Sequence, residues 1–122
     1  MNTSSDKPLA LIIEDDPDAA TIFSEALKAA GFEVEVIATG DRALERLSIT
    51  QPVLIVLDMH LPNVAGPDIL RYIRSDDQLK EAKVIIATAD PRIADELENQ
   101  ATLALLKPIS FSQLRDMASR LK

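Results

Sequence analysis

The chain has 122 residues, 47% hydrophobic and 27% charged, which fits one globular domain around one core. No apolar run approaches the ~20 residues of a membrane span, and the absence of cysteine excludes disulfides, thiolate metal sites and a cysteine nucleophile. Thirteen Lys and Arg against twenty Asp and Glu leave a net charge of −7, which repels a phosphate backbone and gives nucleic acid no basic footprint. The N-terminal stretch MNTSSDKP lacks the basic start and apolar run of a secretory signal. Residues 1–8 are expected to be extended or disordered, residues 9–122 to form the domain, and the cytoplasm to be its location.

Leu9-Ala10-Leu11-Ile12-Ile13 is a continuous apolar run of strand length, as expected of a strand buried on both faces. Ile22, Phe23, Ala26, Leu27 and Ala30 follow at helical spacing, in a segment that Pro17 can open and Gly31 can close. Phe32-Glu33-Val34-Glu35-Val36 alternates apolar and acidic residues, the pattern of a half-exposed edge strand. Ala43, Leu44 and Leu47 predict a second helix, and Val53-Leu54-Ile55-Val56-Leu57 a third strand. Ile69, Leu70 and Ile73 mark a third helix, Lys83-Val84-Ile85-Ile86-Ala87 a fourth strand, and Arg92 to Asn99 a short, sparsely apolar fourth helix. Leu103 to Leu106 gives a fifth strand, and Leu114, Met117, Ala118 and Leu121 a last amphipathic helix. The few large core pieces are expected to be Phe23, Phe32, Phe111 and Tyr72, with Met59 and Met117 as packing residues.

Strands alternating with helices imply right-handed crossovers and a parallel sheet covered on both faces. An edge strand second in sequence beside buried first and third strands fits an α/β, doubly wound, five-stranded order 2-1-3-4-5, with ligands expected at the carboxyl ends of strands one and three. There the first strand ends in Glu14-Asp15-Asp16 and the third in Asp58. Converging carboxylates need a cation or protons, and oxygen ligands without neighbouring Cys or His side chains favour Mg²⁺. Asp16 before Pro17 fits a helix cap equally well. Thr88 and Lys107 end the fourth and fifth strands on the same edge. Singly, each reads as a surface residue; together with Asp58 they suit phosphoryl chemistry, with a carboxylate nucleophile and an ammonium and hydroxyl to bind phosphoryl oxygens.

Over nearly its whole length the chain resembles the receiver domain of two-component response regulators. The resemblance rests on Leu11-Ile12-Ile13-Glu14-Asp15-Asp16, on Val56-Leu57-Asp58-Met59-His60-Leu61-Pro62 with Gly66, on Ala87-Thr88-Ala89 and on Lys107-Pro108. It implies a flavodoxin-like fold and a phosphoryl-accepting switch with Asp58 as the phosphoacceptor. Asp15, Asp16, Asp58 and the main-chain carbonyl of His60 would serve Mg²⁺. Thr88 would bind the phosphoryl group and move with it, Lys107 would pair with it, and the Lys107-Pro108 bond would be cis. The implied donor is a histidine kinase or phosphotransfer protein, and the implied output a downstream protein target or effector domain. Such a protein is a phosphoacceptor that assists its own phosphoryl transfer and dephosphorylation rather than an enzyme.

Three positions depart from the family pattern. Ala65 precedes Gly66 where a capping side chain is usual, Ala104 stands where an aromatic is frequent, and Gln100-Ala101 replaces Gly-Ala, so that turn is expected to differ in backbone conformation. Ala104 keeps open a second reading, an interaction module independent of phosphorylation. A nucleotide- or flavin-binding enzyme of the same topology would need a Gly-rich phosphate loop, which three glycines can hardly build. The His60 side chain reads as a solvated loop imidazole, with an influence on hydrolysis as the alternative. Asp95, Glu96 and Glu98 on the fourth helix, facing Arg115, Arg120 and Lys122 on the last, suggest a weak, salt-sensitive homodimer.

Overall fold

Five segments pair as parallel strands: β1 (Leu9–Ile13), β2 (Glu33–Ile37), β3 (Leu54–Asp58), β4 (Lys83–Thr88) and β5 (Leu103–Leu106), in the order β2-β1-β3-β4-β5. The computed structural model describes residues 7–122; the segment expected over residues 1–8 lies, apart from Lys7 and Pro8, outside the described residues. Five helices connect the strands: α1 (Pro17–Ala29), α2 (Gly40–Leu47), α3 (Gly66–Ser75), α4 (Pro91–Leu97) and α5 (Phe111–Ser119). Leu11 pairs with Glu35 on one side and Ile55 on the other, and Leu57 pairs with Ile86.

Strand alternation divides the apolar residues into two layers. Ala10, Ile12, Leu54, Val56, Ile85 and Ala87 join Phe23, Leu27 and Leu114 of α1 and α5. Leu11, Ile13, Ile55, Leu57, Val84 and Ile86 join Leu47, Ile69, Leu70 and Ile73 of α2 and α3. Each buried Leu or Ile contributes about 1.5–3 kcal/mol of transfer free energy, so the first, third and fourth strands, buried along nearly their whole length, are the most firmly held part of the sheet.

Local chemistry sets the helix ends. Asp16 caps α1 by accepting from the Ala19 N–H at 3.1 Å, with Pro17 in the first turn, and Gly31 at φ +99° lets the chain leave it. Thr39 caps α2 and Ser110 caps α5. The start of α3 at Ala65 has no side-chain cap, as the missing hydroxyl or acid there leads one to expect.

Four expectations shift. The second strand runs one residue later than the Phe32–Val36 alternation suggests, because Phe32 is buried under α1 as a core residue. Ile22, expected on the apolar face of α1, is 44% exposed, since Ala20, Phe23, Ala26 and Leu27 fill the stripe that meets the sheet. Val36 is exposed near the end of the edge strand. Phe111, at the first position of α5, is 38% exposed with the Arg115 guanidinium 5.5 Å from its ring centre.

The α4 region is packed differently from the rest. None of its seven helical residues is buried; Ile93 and Leu97 only lean on the second layer, as do Ala101 and Ala104. Its outgoing turn closes with the Gln100 and Ala101 N–H groups both donating to the Leu97 carbonyl. Arg74, at the end of α3, ties that turn down: Nε donates to the Gln100 carbonyl at 2.7 Å, and Nη1 to the carbonyls of Lys80 and Ala82 at 2.9 and 2.7 Å.

Candidate functional site

Glu14 continues β1 by one step, its N–H donating to the Ile37 carbonyl at 3.0 Å. By alternation it shares the face of Ala10 and Ile12, while Asp58 at the end of β3 shares the face of Leu54 and Val56, which is the same layer. Lys107, two residues past Leu105, comes from that layer as well. The three side chains accordingly meet. Lys107 Nζ lies 2.9 Å from Glu14 Oε1 and 3.3 Å from Asp58 Oδ1. Glu14 and Asp58 are 2% and 3% exposed, so two nearly dry carboxylates share one ammonium. The His60 N–H gives Asp58 Oδ1 a second donor at 3.2 Å.

Burial pushes the Glu14 carboxyl above its ordinary range, against the lowering effect of the Lys107 hydrogen bond. Burial alone would lower the Lys107 ammonium; the Glu14 hydrogen bond and the charges of Asp58 and Glu14 outweigh it, and its pKa is raised. Lys107 is accordingly held protonated.

Asp15 is exposed at the mouth of this cluster, and carboxylate oxygens of Glu14, Asp15 and Asp58 lie within 4.8 Å of one another. Three carboxylates against one ammonium leave an excess of negative charge, and an all-oxygen donor set suits a hard divalent cation such as Mg²⁺. These three residues could hold a metal ion. The expected set paired Asp15 with Asp16; the cluster instead contains Glu14, and the Asp16 carboxylate turns to the Ala19 N–H as the α1 cap. The signal for Glu14 was in the sequence: counting strand alternation one residue past Ile13 places it on the face of Lys107. The Glu14 carboxylate also accepts from the Asp16 N–H at 3.1 Å, which turns the chain from strand into cap.

Thr88 ends β4 beside the cluster, fully buried, and its hydroxyl accepts from the Asp90 N–H at 3.1 Å. It has the alternation of Val84 and Ile86, so it belongs to the layer opposite Lys107. Asp58 pairs with Ala87 across β3 and β4, and the Met59 N–H reaches the Ala87 carbonyl at 3.2 Å. The loop after β3 is thereby stitched to the strand that carries Thr88. The His60 residue is exposed. The Lys107-Pro108 peptide is cis, as the resemblance implies.

Comparison with known proteins accounts for this arrangement. The family model of the response regulator receiver domain matches residues 10–119. The chain is 32% identical over 110 residues to the phosphate regulon transcriptional regulatory protein PhoB of Rhizobium meliloti, covering 88% of this chain and 48% of that protein. It is 30% identical over 118 residues to the two-component response regulator ORR3 of Oryza sativa subsp. indica, covering 93% of this chain and 90% of that protein. It spans about half the length of several regulators it matches, PhoB among them. Among solved structures, the chemotaxis response regulator CheY4 of Vibrio cholerae superposes with a TM-score of 0.86 at 25% identity, covering 95% of this chain and 99% of that one. With the ordered strand-end residues and the 2-1-3-4-5 sheet, the family match identifies the chain as a receiver domain of two-component signalling systems.

Proposed function

We propose that this receiver accepts a phosphoryl group on Asp58 from the phosphohistidine of a partner histidine kinase or phosphotransfer protein, in the cytoplasm, and passes the change to a downstream protein target or effector domain. One observation carries the reading: a buried aspartate at the end of a central strand, bonded to Lys107 and flanked by Glu14 and Asp15. Asp58 Oδ1 is engaged by Lys107 and the His60 N–H, whereas Oδ2 receives no donor from the described residues and is the oxygen best placed to attack phosphorus. The O–P bond forms as the P–N bond breaks, and the departing imidazole nitrogen keeps the electron pair. Glu14, Asp15 and Asp58, with the His60 carbonyl, would hold Mg²⁺, which when bound would supply positive charge against the phosphoryl oxygens.

Lys107 exchanges part of its bond to Asp58 for a phosphoryl oxygen and so transmits the new charge to the loop before α5. The Thr88 hydroxyl, which accepts from the Asp90 N–H, donates its own proton to a phosphoryl oxygen, and its movement pulls on the start of α4. The domain acts as a phosphoacceptor that assists its own transfer and hydrolysis, without turning over a separate substrate. A module independent of phosphorylation is the second reading, favoured by Ala104 and the lightly packed α4.

Incubation with acetyl phosphate and Mg²⁺, followed by intact-mass measurement, is expected to show one added phosphoryl group. The adduct should vanish in Asp58→Asn and on chelation of the metal. An adduct that persists in either case rejects Asp58 or the metal. No adduct at all in the native chain favours the second reading. With no Trp in the chain, metal binding is followed by NMR amide shifts.

A further inference from the structure

We propose that the first turn of α2, through Gly40 and Asp41, is the positioning element for the phosphoacceptor loop, although α2 supplies no residue to the site. The proposal rests on Asp58 being the acceptor and adds what holds its surroundings in place. The loop from Met59 to Ala65 delivers the His60 N–H to Asp58 Oδ1 and carries the His60 carbonyl, so its pose sets both.

Left to itself this loop would not keep its shape. The Val64 N–H donates to the Pro62 carbonyl at 2.9 Å across Asn63, which sits at φ +76°. Asn63 is the single non-glycine residue with positive φ among the described residues. A γ-turn of this hand is rare and strained, and such a conformation persists only where its surroundings over-determine it.

Those surroundings are the start of α2, acting in three ways. The Gly40 N–H donates to the same Pro62 carbonyl at 3.1 Å. Gly40 approaches so closely that a Cβ would lie 2.3 Å from the Val64 carbonyl oxygen, a backbone atom that cannot swing aside. Asp41 Oδ1 accepts from Asn63 Nδ2 at 2.8 Å. At the loop's far end Gly66 is packed as tightly, with a Cβ there falling 2.6 Å from the Asp58 carbonyl oxygen and from Met59 Cα. The loop is wedged between two glycines, and α2 fixes the strained turn at its middle.

The exposed Asp41–Asn63 bond can be removed without opening the core. Asp41→Ala and Asn63→Ala are each expected to weaken Mg²⁺ binding, and to slow acetyl phosphate labelling at saturating Mg²⁺, by about three- to tenfold. The double variant should be no worse than the weaker single variant, because both remove one bond. Asp41→Asn keeps an oxygen for the Asn63 amide while deleting the charge, and should stay within about twofold of the native chain. Thermal stability of Asp41→Ala should barely change, which separates positioning of the site from support of the fold. Native Mg²⁺ affinity in Asp41→Ala overturns the proposal; so does equal impairment in Asp41→Asn and Asp41→Ala, which would assign the effect to charge. A native chain that binds Mg²⁺ but takes up no phosphoryl group defeats the reading of Asp58, and the Mg²⁺ measurements still decide the role of α2.

Discussion

The end of the sheet where β1 and β3 stop and the flank formed by α4 and β5 are built from similar aliphatic residues, yet they are held very differently. At the first, every residue from Ala10 to Glu14 and from Leu54 to Met59 is buried, and the loop after β3 is wedged between two glycines. At the second, no residue of α4 is buried and β5 is only partly covered. Chemistry at Asp58 needs groups fixed to within a fraction of an ångström, whereas a response needs an element whose alternative positions differ by a few kcal/mol at most. On the proposed reading of Asp58, the chain keeps these demands in separate places, and Thr88 and Lys107 are the residues that would join them.

The most damaging way to break that division is to cut the Lys107 link. Lys107→Ala leaves Glu14, almost fully buried, without its ammonium beside Asp58. Loss of about 2 kcal/mol is expected without metal, below the usual range for a broken buried pair because Lys107 itself is partly exposed. Mg²⁺ should bind at least as tightly, since a competing cation is gone, while NMR shifts in α4 and α5 on phosphorylation should largely disappear. Native shift changes in this variant make Lys107 a bystander. The raised Lys107 pKa gives this bridge a pH limit: its stabilisation is complete below pH 10.5 and is lost as pH rises through the folded-state value.

The opposite manipulation loosens the α4 flank further. Arg74 donates to three main-chain carbonyls in the two loops that lead into β4 and β5, and burial lowers its pKa, with the Glu81 charge opposing. Arg74→Ala should cost about 1–2 kcal/mol and speed hydrogen exchange in residues 91–102 more than in β1 or β3. Arg74→Lys should recover little, because a single ammonium cannot reproduce the guanidinium's spread of donors. Uniform acceleration across the chain would mean that the flank is not a separate unit.

A smaller effect is expected at Glu14. Its carboxyl titrates above the ordinary value of 4.5 because burial disfavours the charge. A raised folded-state value contributes stability below pH 4.5 and loses it as pH rises through that value, so ionised Glu14 weighs against the metal-free fold at neutral pH. Glu14→Gln should accordingly raise metal-free stability at pH 7, by on the order of 1 kcal/mol, with the gap closing below pH 4.5. With Mg²⁺ present the ranking should reverse, since the native chain gains more from binding. Thermal unfolding at pH 4 and pH 7, with and without Mg²⁺, checks both signs; an unchanged ranking on adding Mg²⁺ would remove Glu14 from the metal site.

The sheet was largely legible because buried parallel strands write themselves as unbroken apolar runs, and those runs stop at polar residues of the candidate site. Asp58, Thr88 and Lys107 could be placed by that rule alone. Glu14 and Asp16 could not be told apart by it, since three acids in a row satisfy any strand-end rule and both have the same parity; what separates them is that strand pairing runs on through Glu14 while Asp16 already opens α1 as its cap. Side-chain exposure on helices was less legible: Ile22 and Phe111 are apolar yet face outward, because the stripe of a helix is set by what the sheet offers opposite it. The role of α2 left no sequence mark beyond Gly40 and Asn63, since it depends on two segments more than twenty residues apart meeting through backbone atoms.

The weakest expected effect lies on the α4 flank itself. Asp95 and Glu96 are exposed on α4 and Glu98 just past it, and Arg120 and Lys122 are exposed just past α5, with the Lys122 ammonium close to Gly31. Arg115 is less free than its sequence position suggests, engaged by Asp116 at 3.1 Å and set over Phe111. On this flank lies a shallow groove lined by Pro91, Ala94, Asp95, Glu98, Ala104 and Leu106. Two copies meeting about a two-fold axis through this face could pair acid with base and cover Leu106, which is 47% exposed. Exposed ion pairs contribute only ~0 to 1 kcal/mol each, and Ala104 supplies little apolar area, so any dimer should dissociate as salt shortens the screening length below about 8 Å. Because α4 is the loosely held element, phosphorylation should strengthen the association only by reordering it. Sedimentation at low and high salt, with and without beryllofluoride, tests this. The expected result is a dimer confined to low salt, enhanced by beryllofluoride and abolished by Arg120→Glu with Lys122→Glu. A monomer under all conditions assigns the face to a different protein, and a salt-insensitive dimer shifts the cause from the charges to Leu106 and the groove.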